Sequence, residues 1–186
     1  MSFEGPKTYA FNAATGATLW EYSGSPNYSY GLTTSYYDGN LYIRGVDVDF
    51  GQLIGSSTGT PGPEFHMDLI PAFGDGLGFF LDSGTLTARE PATLLPAWSA
   101  SNPADPFSTA PIIANHVIYE CTYGGSLNVF AAKSGNLLGT LNLSDTVSGS
   151  MEANANWALG GLASSQNLVV IPTDHMIVAV TDQAHI

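Results

Sequence analysis

Hydrophobic positions along the chain come in short runs of four to seven residues, rich in Tyr, Val, Ile, Phe and Thr, separated by clusters of Gly, Asn, Asp and Ser. No stretch keeps a helical period for three turns. LYIRG at 41–45 follows the turn DGN, VIYECTY at 117–123 follows AN and precedes GG, and LVVIP at 168–172 follows SSQN. Each reads as a strand bounded by a tight turn, because Gly, Asn and Asp tolerate the positive φ that such turns require. The pattern predicts an all-β chain.

The spacing of these units carries more information than the strands themselves. The phrase YAFNAATGATLW at 9–20 recurs as QLIGSSTGTPGPEF at 52–65, as the more divergent TLTAREPATLLPAW at 85–98, and as NVFAAKSGNLLGTL at 128–141. The turn falls at Thr15-Gly16, Thr58-Gly59 and Ser134-Gly135, in steps of 43 and 76 residues, with the divergent copy inside the longer step. A mean period near 40 residues is that of propeller blades. A strand-turn-strand phrase for two inner strands matches each later copy, as in TSYYDGNLYIRG at 34–45 and PAFGDGLGFFLD at 71–82. The predicted fold is a β-propeller of four-stranded antiparallel blades, about four blades' worth. A partial blade spans 8–22, fuller blades span about 32–66, 71–99 and 107–142, and a partial blade spans 158–181. Both partial blades contain a third strand, which makes the chain the C-terminal portion of a seven- or eight-bladed propeller. A small closed four-bladed ring is the alternative. Trp20 and Trp98 are expected on outer strands, covering the seam to the next blade.

Composition narrows the function classes. The 186 residues suffice for one domain with a buried core. Four Lys and Arg stand against 16 Asp and Glu, and the resulting net charge of −12 repels nucleic-acid backbones and anionic membrane surfaces. The apolar runs are too short to span a bilayer, and the first twenty residues lack the pattern of a signal peptide. The single cysteine, Cys121, excludes an intrachain disulfide and any multi-cysteine metal site, and is read as a small buried strand residue.

Ala10, Asn12, Thr15, Gly16 and Trp20 form A-x-N-x-x-T-G-x-x-x-W. This resembles the tryptophan-docking motif of pyrroloquinoline-quinone-like (quinoprotein-type) β-propellers, with Asn12 where that motif has Asp. The resemblance extends from about Thr8 to Val180. The family includes calcium-dependent quinoprotein alcohol dehydrogenases and non-catalytic relatives, among them a lipoprotein scaffold of the outer-membrane β-barrel assembly machine. It implies a periplasmic or extracellular protein.

A quinoprotein dehydrogenase needs a cation on the quinone oxygens, an Asp base, a nearby Arg or Lys, and stacking on both ring faces. The alcohol dehydrogenases stack a disulfide between adjacent cysteines on one face, and this chain has no Cys-Cys pair. Its only Lys and Arg are Lys7, Arg44, Arg89 and Lys133. Asn156-Trp157, followed by Leu168 and Ile171-Pro172, is similar to the dehydrogenase stretch in which the Asn lies at the cofactor. The loop before it gathers Asp145, Glu152, Asn154 and Asn156, oxygen-bearing side chains suited to a hard cation. Ordinary loop packing explains the same residues. Asp47 and Asp49 read as a turn, and His66, His116, His175 and His185 are dispersed without metal-ligand spacing. No catalytic, cofactor-binding or metal-binding residue is therefore assigned, and no cofactor is expected.

The expectation is a non-catalytic scaffold or binding module of an exported protein. It would bind a protein or small ligand at its loops and associate with itself through an open blade edge. The alternative is the C-terminal fragment of a pyrroloquinoline-quinone (PQQ)- and calcium-dependent quinoprotein alcohol dehydrogenase. A third reading, a glycan binder, rests on Tyr28 and Tyr30 in the loop SGSPNYSYG.

Overall fold

Tight turns with residues at positive φ, such as Asp38-Gly39 and Asp75-Gly76, fold the chain into consecutive antiparallel meanders. The computed structural model describes residues 7–23, 34–44, 50–148, 161–165 and 167–181. The first sheet pairs β1 (Thr8–Phe11) with β2 (Thr18–Tyr22). The second holds β3 (Ser35–Tyr37), β4 (Asn40–Arg44), β5 (Phe50–Gly55) and β6 (Pro61–His66). The third holds β7 (Ala72–Gly74), β8 (Leu77–Asp82), β9 (Thr85–Arg89) and β10 (Pro96–Ser101). The fourth holds β11 (Ile112–Ala114), β12 (Val117–Cys121), β13 (Ser126–Ala131) and β14 (Leu137–Asn142). The fifth holds β15 (Ala163–Ser165), β16 (Leu168–Pro172) and β17 (Ile177–Thr181). Every sheet is antiparallel with strands in chain order, and no helix occurs among the described residues.

First strands face first strands across neighbouring sheets. β7 touches β11 and β11 touches β15, and Ser35 donates to the Pro71 carbonyl just ahead of β7. These short strands form the inner edge of the array. The apolar core lies in the seams because the second, third and fourth sheets each have neighbours on both faces. Tyr42, Leu53, Phe65 and Met67 of the second sheet and its exit meet Phe80 and Leu94 of the third. Phe79, Leu81, Leu86 and Ala88 of the third meet Ile118, Phe130 and Ala132 of the fourth. Tyr119, Cys121 and Leu127 of the fourth meet Val169 and Ile171 of the fifth.

The turn between third and fourth strands is the same in four sheets. An amide donates four residues back, from Gly16 to Asn12, Gly59 to Gly55, Leu94 to Glu90 and Gly135 to Ala131. Each donor residue sits at a φ of 60 to 71°. A bulge in the adjoining strand pair follows the turn in all four. Trp20 lies against Gly59 of the next sheet, where an added Cβ would come within 2.8 Å of the indole, and its Nε1 donates to the Ser56 carbonyl at 2.8 Å. Trp98 repeats this against Gly135, donating to the Ala132 carbonyl at 2.9 Å. In both, the accepting carbonyl lies three residues before the glycine.

Between the second and third sheets there is no tryptophan to dock, because Pro63 and not Trp occupies the matching position on β6. There the turn sends Leu94 into the seam, where it is buried with Phe80 and Tyr42. Tyr42, from the second strand of its sheet, donates its hydroxyl to the Pro91 carbonyl at 2.9 Å. Pro91 lies three residues before Leu94, so Tyr42 reaches the carbonyl that Trp20 and Trp98 reach elsewhere. The glycine is dispensable where no indole needs the space, although its left-handed φ persists at Leu94.

Candidate functional site

The meander brings two sets of loops to opposite ends. Turns between first and second strands share one end with the docking turns. Turns between second and third strands share the other with the sheet-to-sheet connections.

At the second end, Asp145 leaves the fourth sheet and meets the turn between β16 and β17. Its carboxylate accepts from the Thr173 hydroxyl at 2.6 Å, from the His175 amide and ring Nδ1 at 2.9 Å, and from the Thr146 amide at 3.0 Å. The Thr173 hydroxyl first, then His175, holds the Asp145 carboxyl well below the ordinary carboxylate range. Asp174 answers from the same turn, accepting from the Thr146 hydroxyl and the Ser148 amide, which also lower it. His175 is raised above its usual value, chiefly by its bond to Asp145. Asp105 plays a simpler version one sheet earlier, accepting from the Gly124 amide at 2.7 Å. Asp145, read from the sequence as suited to a cation, has its oxygens committed to clamping the fifth sheet onto the fourth.

At the first end, His116 pairs with Asp75 at 2.7 Å across the third and fourth sheets. Beside it, a cavity of about 290 Å³ opens between the fourth and fifth sheets. Ala114, Asn115, Tyr119, Ser164, Ser165 and Asn167 line it with amides, hydroxyls and apolar surface. Arg89 is half-buried, its guanidinium donating to the Leu94 carbonyl at 3.4 Å and lying 5.8 Å from the Phe80 ring centre. It supports a docking turn. His66 sits exposed at the end of β6. Cys121 is fully buried, and burial pushes its thiol up to about 12. Asn156, Trp157, Glu152, Asn154, Asp47, Asp49, Tyr28, Tyr30 and His185 lie outside the described residues, and Arg44 ends β4. Among the described residues, no group of three or more His, Cys, Asp or Glu is placed to hold a metal ion.

One buried group gave no signal in the sequence. Glu120 on β12 is fully buried, and its Oε1 accepts from the Thr109 hydroxyl at 2.9 Å and amide at 3.1 Å. Its Oε2 is buried without a partner. Counted from the first turn of each sheet, the same place is taken by Ile43, Phe80 and Ile171, all buried. Desolvation raises the Glu120 carboxyl well above its ordinary range, against the lowering effect of Thr109.

The consecutive four-stranded meanders around short inner strands, with cores in the seams, define a β-propeller segment. Solved structures agree. BamB from Moraxella catarrhalis superposes with a TM-score of 0.67 at 16% identity, over 96% of this chain and 52% of that one. The computationally designed Ika8 protein superposes at 0.69 and 15% identity, over 92% and 51%. The designed Ika4 protein superposes at 0.68 and 14% identity, over 90% of this chain and 99% of that one. The chain thus spans about half the length of BamB and of Ika8. No family model and no curated protein matches the sequence.

Proposed function

We propose that the chain is a non-catalytic quinoprotein-like β-propeller segment, a scaffold or binding module of an exported protein acting in the periplasm or outside the cell. It carries no cofactor in this reading. One observation carries it: the described side chains best suited to chemistry are engaged in holding blades together. Asp145 and His175 join the fourth and fifth blades, His116 and Asp75 the third and fourth, and Arg89 backs a docking turn. What remains for recognition is the loops at the two ends, the cavity beside Asn115 and the exposed outer strands. The likeness to the BamB propeller supports the scaffold class. A protein or small ligand at the loops fits this surface, and the open outer edge offers association between copies.

The test is a titration of the folded chain with pyrroloquinoline quinone and calcium, following the fluorescence of its three tryptophans. Unchanged emission is expected. Saturable, calcium-dependent quenching would replace the scaffold with the dehydrogenase fragment and make Asn156 and Trp157 the first residues to mutate.

A further inference from the structure

Three seams meet the same two places at the end of the first strands, and they close differently. The turn between first and second strands carries Asp38-Gly39, Asp75-Gly76 and Asn115-His116 at positive φ in the second, third and fourth blades, and Asn167 keeps the later position in the fifth. The last two residues ahead of each turn face the neighbouring blades. Between the second and third blades, Tyr37 stacks on Phe73 with ring centres 4.9 Å apart. Between the third and fourth, Gly74 lies so close to Ile113 that an added Cβ would come within 2.6 Å of its side chain, and His116 ties the rim to Asp75 at 2.7 Å. Between the fourth and fifth, the matching places hold Ala114 and Ser164. A methyl and a hydroxymethyl cannot fill the space that two rings or an isoleucine fill, and there the cavity of about 290 Å³ opens.

The chemistry of the lining narrows what the cleft can hold. Asn115, Ser164, Ser165 and Asn167 line it and are exposed, and none of their side chains hydrogen-bonds to another described residue. Where the second and third blades place the carboxylates of Asp38 and Asp75 in the turn, the fourth places the amide of Asn115. No charged side chain lines the cleft, in a chain that holds 16 Asp and Glu. Amides and hydroxyls each donate and accept hydrogen bonds. Tyr119 and Val169, both buried, back them with apolar surface. An ion would be desolvated here with no opposite charge to receive it, and the net charge of −12 repels anions in particular. The cleft suits a neutral ligand whose groups donate and accept together around an apolar ring. Its volume lies near the lower end of the ~300–1,000 Å³ of small-molecule sites, which sets the size at one ring.

We propose that the cleft between the fourth and fifth blades binds one ring of a neutral sugar. The amides of Asn115 and Asn167 and the hydroxyls of Ser164 and Ser165 exchange hydrogen bonds with the sugar hydroxyls, and the C–H face of the ring lies toward Tyr119 and Val169. This seam gives up the side-chain contact that closes its predecessors. Asp145, bonded to Thr173 and His175 at the opposite end, holds the two blades together in its place. The inference rests on the binding-module reading and adds to it a site and a class of ligand.

Saturation-transfer NMR on the full chain tests this, with the methyl glycosides of glucose, galactose, mannose and N-acetylglucosamine as probes at millimolar concentration. Saturable transfer to at least one of them is expected. Glucuronate and galacturonate should bind at least tenfold more weakly than the best neutral probe. Ser164→Ile restores the isoleucine that closes the preceding seam, and should abolish the transfer while leaving the circular dichroism spectrum unchanged. If that variant fails to fold, Asn115→Gly combined with Asn167→Gly tests the same cleft, because glycine is at ease at their φ of 50 and 66°. That pair should weaken binding at least fivefold. Absence of saturable transfer to every neutral probe, binding that survives Ser164→Ile in a folded chain, or uronates held as tightly as neutral sugars would each overturn the sugar site while leaving the scaffold reading in place. Calcium-dependent quenching by pyrroloquinoline quinone would instead overturn that reading and leave the sugar result to stand by itself.

Discussion

Two seams of this propeller solve one problem with different side chains. Between the third and fourth blades, Trp98 lies on Gly135 and donates to the Ala132 carbonyl. Between the second and third, Leu94 fills the space and Tyr42 donates to the Pro91 carbonyl, three residues before the same turn position. What is shared is the turn geometry, a donor for one carbonyl, and an apolar group over the turn. The identity of the strand that supplies each is free to change. Tryptophan combines both tasks in one side chain and requires a glycine beneath it. Splitting the tasks between Tyr42 and Leu94 releases the glycine but places a leucine at a φ of 60°.

The largest expected effect breaks the tryptophan seam. Gly135→Ala puts a methyl 2.6 Å from the Trp98 ring at a φ of 71°, and should cost ~2–5 kcal/mol from left-handed strain and displacement of the indole. Gly16→Ala meets the same φ in open space and should cost only ~1–2 kcal/mol. Urea melts of both variants separate strain from docking. Equal losses would mean that Trp98 contributes nothing through its seat on the glycine.

The next effect depends on pH and concerns the same seam, where Glu120 stands at the place of Phe80 one blade earlier. Its folded pKa is raised above the ordinary 4.5, so the folded state holds the proton more tightly than the unfolded chain. Its stabilisation is complete below pH 4.5 and declines as pH rises toward the folded pKa, by up to ~1.4 kcal/mol per pH unit. Glu120→Gln keeps an acceptor for Thr109 and removes the titration. The difference in stability between the two proteins should grow in favour of the variant from pH 4.5 upward. Parallel curves would show that the carboxyl titrates alike in the folded and unfolded protein, with no raised pKa in the fold.

Leu94→Gly sharpens the comparison from the other side. Glycine relieves the strain at a φ of 60°, which favours the variant by ~1–2 kcal/mol, but removes a leucine that is 7% exposed, which costs ~2–5 kcal/mol. A net loss of ~1–3 kcal/mol is expected in chemical denaturation. A gain would mean that Leu94 is merely tolerated and that the seam relies on Tyr42 and the surrounding rings.

The repeat and the all-β fold were legible because they are written in local chemistry. Gly16, Gly59 and Gly135 mark turns that few other residues can make, and the runs between them have strand length and composition. The copy at 85–98 looked divergent for the same reason, since Leu94 stands in the glycine place and only the facing blade explains it. Asp145 was visible as an oxygen donor, yet its partners Thr173 and His175 lie 28 and 30 residues away, so its use as a clamp is a property of the fold. Glu120 gave no signal, because one acid within VIYEC reads as the solvent side of an alternating strand. In a blade covered on both faces there is no solvent side.

The smallest expected effect isolates the hydrogen bond that makes the two seams equivalent. Tyr42 is fully buried, with its ring 4.4 Å from that of Phe73 and within 6.0 Å of Phe65 and Phe80. Tyr42→Phe keeps those contacts and removes only the donor to the Pro91 carbonyl. Burial pushes the phenol up to about 12, so the hydroxyl remains a donor across the working pH range and the effect should not vary between pH 5 and pH 9. A loss of ~1 kcal/mol is expected, larger if no water reaches the orphaned carbonyl. Double substitution with Leu94→Gly should then show coupling, since both side chains converge on one turn. Additive losses would mean that the hydroxyl and the leucine act as independent features of the second and third blades, and that the split substitute for tryptophan is not one unit.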